Sequence, residues 1–114
     1  MNFKKNIKWL IAGGISFFVY CCTPLIKPPA ETDTQVAQQH WSDASYTQLK
    51  QGYSIYIKKC GSCHYLHRPS KYSEEKWKKK IPIMGKKAKL DSLQTQSILR
   101  YVLTTKETNS FSRK

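Results

Sequence analysis

The chain has 114 residues, enough for one small domain and too few for two sizeable cores. It carries 20 Lys and Arg against 7 Asp and Glu, a formal net charge of +13, and that balance points to acidic proteins, anionic lipid or nucleic acid as partners. Its four cysteines fall in two close pairs, Cys21/Cys22 and Cys60/Cys63, and supply no disulfide framework.

Residues 1–22 read as an export signal. Lys4, Lys5 and Lys8 form a positive head, and Trp9 to Cys22 gives fourteen residues without a charge. That is the length of a signal-peptide apolar region, and short of the roughly twenty residues that span a bilayer as a helix. The stretch ends on cysteine without a small-x-small cleavage site. It resembles a bacterial lipoprotein signal, in which the first mature residue is a lipidated cysteine. Cys22 takes that place with Val19 and Cys21 ahead of it; Cys21 is the alternative, with the bulky Tyr20 ahead of it. A retained N-terminal anchor helix is the competing reading. Either one places the rest of the chain at a membrane, on the periplasmic side of the bacterial cytoplasmic boundary. Export also removes nucleic acid from the list of partners.

Residues 23–45 carry Pro24, Pro28 and Pro29, then Gln35, Gln38 and Gln39, with little apolar periodicity. This composition predicts a flexible tether. His40 and Trp41, near its end, are the residues placed to pack on a following domain. His40 reads as a solvated histidine rather than a metal ligand.

The foldable part is residues 46–106. A foldable stretch of this size is marginal alone and usually needs a covalent staple, a metal or a cofactor. The first predicted helix covers Tyr46–Lys59, with Leu49, Tyr53, Tyr56, Ile57 and Cys60 at helical spacing. Gly52 inside it costs about 1 kcal/mol relative to alanine, so it needs a packing reason. The helix runs into Cys60-Gly61-Ser62-Cys63-His64, a C-x-x-C-H pattern that reads as c-type haem attachment. Each thiol forms a thioether with one haem vinyl group. Two intervening residues on a helically turning backbone bring both sulfurs to one face, and the next residue offers an imidazole to the iron. A zinc knuckle needs further ligands, and no second cysteine pair follows. A thioredoxin-like dithiol needs alternating strands and helices, and strand signals are few.

The flanks of this motif resemble the class I (small monohaem) cytochromes c. That family has a glycine eight residues before the first cysteine and an aromatic four before it, here Gly52 and Tyr56. They meet an apolar-x-x-aromatic pair on the C-terminal helix, here Ile98 and Tyr101. The resemblance covers about residues 46–105. It implies an all-α fold in which N- and C-terminal helices cross over one covalently bound haem c, with a short middle helix. It implies iron ligation by His64 and, on the far side, by a methionine. Met84 is the only methionine outside the leader. It follows His64 by 20 residues, a short interval for the family, so the middle loops would be trimmed. The competing reading is that Met84 fills the core beside Trp77. The pocket is expected to use Tyr53, Tyr56, Pro69, Trp77 and Ile81, with the Pro69 carbonyl accepting from the second ring nitrogen of His64.

Tyr65–Tyr72 reads as a loop broken by Pro69, in which His67 is a surface or propionate-side histidine. Ser73 caps a middle helix whose first turn holds Glu74 and Glu75, and Trp77, Ile81, Met84 and Ala88 share one face. Pro82 is expected to kink or end it. Lys76, Lys78, Lys79, Lys80, Lys86, Lys87 and Lys89 surround the segment, as a solvated face or as a ring that docks acidic partners. Asp91 (or Ser92) with Gln94 offers a capping box for the last helix, which runs to Thr105 or Lys106. Leu93, Ile98, Tyr101 and Val102 are expected to face the first helix, and residues 107–114 read as a frayed tail.

The expected function is one-electron transfer, not enzymatic catalysis. The chain would be a lipid-anchored cytochrome serving acidic redox proteins or membrane-bound oxidoreductases, with no small-molecule substrate. The alternative is a haem subunit of an oxidoreductase, or a gas or redox sensor, with a weak or vacant sixth ligand. The role of Met84 separates the two.

Overall fold

Glycine at position 52 sets the architecture. The computed structural model describes residues 26–113 as four helices: α1 (Asp33–His40), α2 (Tyr46–Lys59), α3 (Glu74–Lys87) and α4 (Ser92–Phe111). Single 3₁₀ turns follow at Cys60–Ser62, directly after α2, and at Pro69–Lys71 in the loop before α3. No strand occurs among the described residues, so the expected all-α class holds. The leader, with Cys21 and Cys22, lies outside the described residues.

α2 and α4 share the largest interface in the fold. A Cβ on Gly52 would overlap the Ser97 carbonyl, with the Ser97 carbonyl carbon at 2.6 Å and the Tyr101 Cβ at 2.9 Å. The two backbones therefore touch at this point, and only glycine leaves room for it. The family-derived pairing of Gly52 and Tyr56 with Ile98 and Tyr101 is the pairing seen: all four are buried, and the Tyr56 and Tyr101 rings lie 6.2 Å apart. Around them Trp77, Ile81, Val102 and Leu103 complete the main core. Each such large apolar side chain contributes about 1.5–3 kcal/mol on burial. Leu93, expected on the same face, is 72 % exposed, because it lies in the first turn of α4, before the crossing.

Local signals set the helix starts. Ser45 accepts from the Gln48 N–H, Ser73 accepts from the Lys76 N–H, and Asp91 and Gln94 make both halves of a capping box. Of the two outcomes expected at Pro82, a kink or an end, α3 does not take the second. It continues to Lys87, with Trp77, Ile81 and Gly85 buried on the inner face and Pro82 exposed. The Lys78 carbonyl, which loses its partner N–H, lies on an exposed residue where water can serve it. Gly85 makes a second close approach: a Cβ there would lie 2.6 Å from the Thr95 hydroxyl of α4.

Two segments depart from the tether and tail read in the sequence. Asp33–His40 is helix α1, docked on α4, with Ala37 fully buried beside Ala44 and Leu49. Eight residues of weak helical pattern do not hold a helix in water; packing against α4 does. Glu107–Phe111 continues α4, and Glu107 takes a 2.8 Å contact from His40 across the α1 junction. Further upstream, Ile26 joins the main core and the Lys27 carbonyl accepts the Tyr101 hydroxyl at 2.7 Å.

Arg100 ties the α1–α2 connection to α4. Its guanidinium is buried, donates to Gln48 at 2.8 Å, pairs with Asp43 at 3.1 Å, and lies under the Trp41 ring at 5.5 Å. Its Nε has no partner, so the arginine is held by one edge only. The hydrogen bond from Arg100 holds the Asp43 carboxyl below the usual carboxylate range.

Two outcomes follow. Gly52→Ala gains about 1 kcal/mol of helix propensity but must separate two backbones, and the overlap wins. Denaturant titration is expected to show a net loss of roughly 1–3 kcal/mol, larger than for Gly85→Ala, where a side-chain hydroxyl can turn aside. Because the folded Asp43 carboxyl titrates below its unfolded value, its contribution is present above about pH 4 and is lost as the pH falls through the folded pKa. Asp43→Asn should flatten that part of the acid limb of the stability curve and leave the limb above neutrality unchanged.

Candidate functional site

The C-terminal end of α2, the turn that follows it and the inner face of α3 enclose a cavity of about 480 Å³ with mainly apolar walls. Tyr56, Cys60, Cys63, His64, Trp77, Ile81 and Met84 line it, and Ile98 closes it from α4. Seven residues singled out in the sequence thus share one space. Two others do not: Tyr53 packs edge-on against Tyr101 at 5.4 Å, and Pro69 is buried behind Trp77.

α2 carries Tyr56 and Cys60 to the cavity on successive turns, because the helix runs unbroken from the Gly52 crossing into the motif. The 3₁₀ turn at Cys60–Ser62 then swings the chain so that Cys63 and His64 follow on the exposed side. Two hydrogen bonds from buried aromatics pin the loop beyond. The Tyr56 hydroxyl donates to the His67 carbonyl at 2.6 Å, and the Trp77 indole N–H donates to the Pro69 carbonyl at 2.8 Å. The Pro69 carbonyl is therefore engaged by Trp77 and not by His64. The His64 Nδ1 instead lies 2.9 Å from the Tyr65 carbonyl. A carbonyl only accepts, so Nδ1 is the donor in this contact, and in the neutral imidazole Nε2 is then the nitrogen left to act as a ligand.

On α3, residues 77, 81, 84 and 85 face inward at helical spacing. Met84 sits at the edge of this face and is 36 % exposed, so its thioether reaches the cavity near the surface rather than deep in the core. The reading of Met84 as ordinary core filling beside Trp77 fits this position poorly. Burial pushes the Cys60 thiol above its ordinary value, with the nearby Cys63 adding to the effect. A reactive dithiol nucleophile needs the opposite shift. Burial likewise raises the Tyr56 phenol, which stays a neutral donor. His67 stacks on His64 with ring centres 5.7 Å apart. Its imidazole is pushed down, first by burial and then by Lys71, His64 and Lys80.

The rim is basic. Lys59, Lys80 and Lys87 line the mouth of the cavity. Beside it, Lys71, Lys76 and Lys80 place their ammonium groups 4.7–5.5 Å from the centre of the Tyr72 ring. Among the described residues, no group of three or more His, Cys, Asp or Glu is arranged to hold a metal ion. No helix of the described residues is long and apolar enough to cross a membrane.

Sequence reasoning missed Lys59 and Gly85: Lys59 reads only as the end of the first helix, and Gly85 has no assigned role. His67, which reads as a surface or propionate-side histidine, also lines the cavity. Their places at the cavity come from the crossing of α3 on α4 and the pinned loop.

A second cavity of about 300 Å³ lies where α1, the start of α3 and the end of α4 meet, lined by His40, Trp41, Glu74, Leu103, Lys106, Glu107 and Ser110. It contains none of the residues to which the sequence assigns chemistry.

In the reduced chain without cofactor, Cys63 is exposed while Cys60 is half-buried with a raised pKa. Iodoacetamide at neutral pH is expected to modify Cys63 several-fold faster than Cys60, with peptide mass spectrometry as the readout. Equal rates would mean that the wall around Cys60 is not formed.

No protein-family model, curated protein or solved structure matches this chain, so the chemistry of the site rests on its own residues.

Proposed function

We propose that this chain is a membrane-tethered monohaem c-type cytochrome, with the small class I cytochrome c fold, that carries single electrons between partners outside the cytoplasm. The observation that carries the reading is the convergence of Cys60, Cys63, His64 and Met84 on one apolar cavity. Two thiols, one imidazole with a free Nε2 and one thioether are the donor set that a covalently held, six-coordinate haem requires. The walls formed by Tyr56, Trp77, Ile81 and Ile98 suit a large apolar macrocycle.

In this reading Cys60 and Cys63 would hold the haem covalently, and His64 and Met84 would ligate its iron. Bound there, haem c would supply exchange between ferric and ferrous iron. The chain's own residues do the rest. The Tyr65 carbonyl holds the tautomer and ring orientation of His64. Trp77 and Tyr56 pin the loop that carries His64. The soft, neutral sulfur of Met84 favours the reduced state, and the apolar walls limit water, which acts in the same direction. Two protein ligands on the iron would leave no open coordination for a substrate, which is the basis for reading a carrier rather than an enzyme. Lys59, Lys80 and Lys87 give the mouth a positive field that steers acidic redox proteins, or acidic faces of membrane oxidoreductases, to the point where the cavity opens.

The test is optical, on protein produced with haem-attachment machinery. A pyridine haemochrome spectrum with two thioethers, and a sulfur-to-ferric-iron charge-transfer band that disappears in Met84→Ala, are the expected results. Covalent haem without that band, together with ready carbon monoxide binding, would replace the carrier with the sensor or oxidoreductase-subunit reading. Absence of covalent haem would end both. Charge reversal at Lys80 and Lys87 should slow association with an acidic partner by about tenfold or more at low salt, and the difference should shrink as salt rises.

A further inference from the structure

The packing of residues 26–44 contradicts a swinging tether. Ile26 is 9 % exposed within the main core, and the Lys27 carbonyl is bonded by the buried Tyr101 at 2.7 Å. Pro29 is buried, Ala37 is fully buried, and Ala44 is 3 % exposed. His40 reaches Glu107 at 2.8 Å, and Arg100 clamps Asp43. The contacts are spread along the whole segment and are made with α2 and α4, so the segment is part of the domain.

This changes the geometry of anchoring. Thr23, Pro24 and Leu25 alone separate Cys22 from Ile26. Three residues, fully extended, reach about 11 Å, whereas a free segment over residues 23–45 would reach about 80 Å. We propose that Ile26–Ala44 is a strap that mounts the domain directly on the bilayer surface, in a restricted orientation, with the face around the exposed Lys27 and Pro28 next to the lipid. The inference rests on the membrane-anchored reading of residues 1–22. It holds equally for a lipidated Cys22, a lipidated Cys21 or a retained anchor helix, because each ends within a few residues of Ile26.

The strap leaves the mouth of the large cavity free. Its polar and ring partners, Tyr101, Arg100, Gln48 and Glu107, are not among the residues that line that cavity. A domain held this way exchanges partners by moving laterally with its anchor, and presents the lysine rim to proteins in or on the same membrane. A long tether would let it sample a deep volume; a strap confines it to a thin layer and raises its effective concentration there.

The test uses the full chain, produced with its own leader in a bacterial host and reconstituted into supported phosphatidylcholine bilayers at high salt, so that charge alone does not hold the domain down. Neutron reflectometry reads the separation between the lipid headgroups and the protein layer. The native chain is expected to give a layer in contact with the headgroups. Insertion of a long Gly-Ser segment between Leu25 and Ile26 is expected to open a hydrated gap. The double substitution Ile26→Asp, Tyr101→Phe, checked for retained helix content by circular dichroism, is expected to thicken the layer toward that of the insertion. A gap already present in the native chain, or a double variant that is folded and shows the native layer, overturns the strap. Mass spectrometry of the N-terminal peptide separates the two claims. An unanchored chain with an unmodified N-terminus downstream of Cys22 sinks the anchoring reading, and with it the mounting, whereas an anchored chain with a gap sinks only the strap.

Discussion

The carbonyl of Ser97 occupies the space where a side-chain carbon on residue 52 would sit, and most of the structure depends on that contact. Because α2 and α4 touch backbone to backbone, Tyr56 and Tyr101 are brought alongside each other and Ile98 is brought under the end of α2. That places the C-x-x-C-H turn over the inner face of α3. A larger residue at position 52 would move α2 away from α4 and open the cavity at its base. The helix-propensity cost of the glycine is about 1 kcal/mol, small against the several large side chains whose burial the crossing permits.

Around this crossing the chain solves a second problem, which is how to hold the loop between the motif and α3. Tyr65 to Lys71 has no regular backbone pairing beyond one 3₁₀ turn. Its position comes from two donors that are themselves buried, the Tyr56 hydroxyl and the Trp77 indole, each bonded to a loop carbonyl. Such bonds are worth about 1 kcal/mol net, but losing one leaves a buried polar atom unpaired at about 1–3 kcal/mol. The tyrosine and tryptophan therefore act at once as cavity wall and as loop anchor. The same economy appears in α4, where Arg100 and Tyr101 sit side by side and hold two different upstream segments through Asp43, Gln48 and the Lys27 carbonyl.

The charge distribution separates two roles. Most of the positive side chains on α3 are exposed, and three lysines reach the mouth of the cavity. The acidic groups with partners, Asp43, Glu74 and Glu107, are spent on internal pairing with Arg100, Lys78 and His40. What remains facing outward is strongly basic. This pattern supports the proposed use of the rim for acidic partners.

Much of the fold was legible in the amino-acid order because its signals are local. The caps at Ser45, Ser73 and Asp91 bond groups three residues away, and the apolar spacing of α2 and α4 repeats within each helix. The C-x-x-C-H motif and the lone internal methionine stand out by chemistry alone. Other features depend on partners far along the chain, and no local pattern encodes them. α1 is a weak helix by composition and exists because α4 offers it a surface. The bond from Tyr101 to Lys27 spans 74 residues, and that between Arg100 and Gln48 spans 52. Pro82 marks a break in the sequence, yet the inner face of α3 packs firmly enough on either side of it that the helix continues. The acceptor for His64 was sought at Pro69 and lies at Tyr65, because Trp77 claims the Pro69 carbonyl from the next helix. The sequence by itself determined α2, α3 and α4, their starts and the donor atoms for chemistry. Only tertiary packing decided which of those atoms share a cavity and how much of the N-terminal segment belongs to the domain, since long-range contacts outweigh the weak preferences of short polar segments.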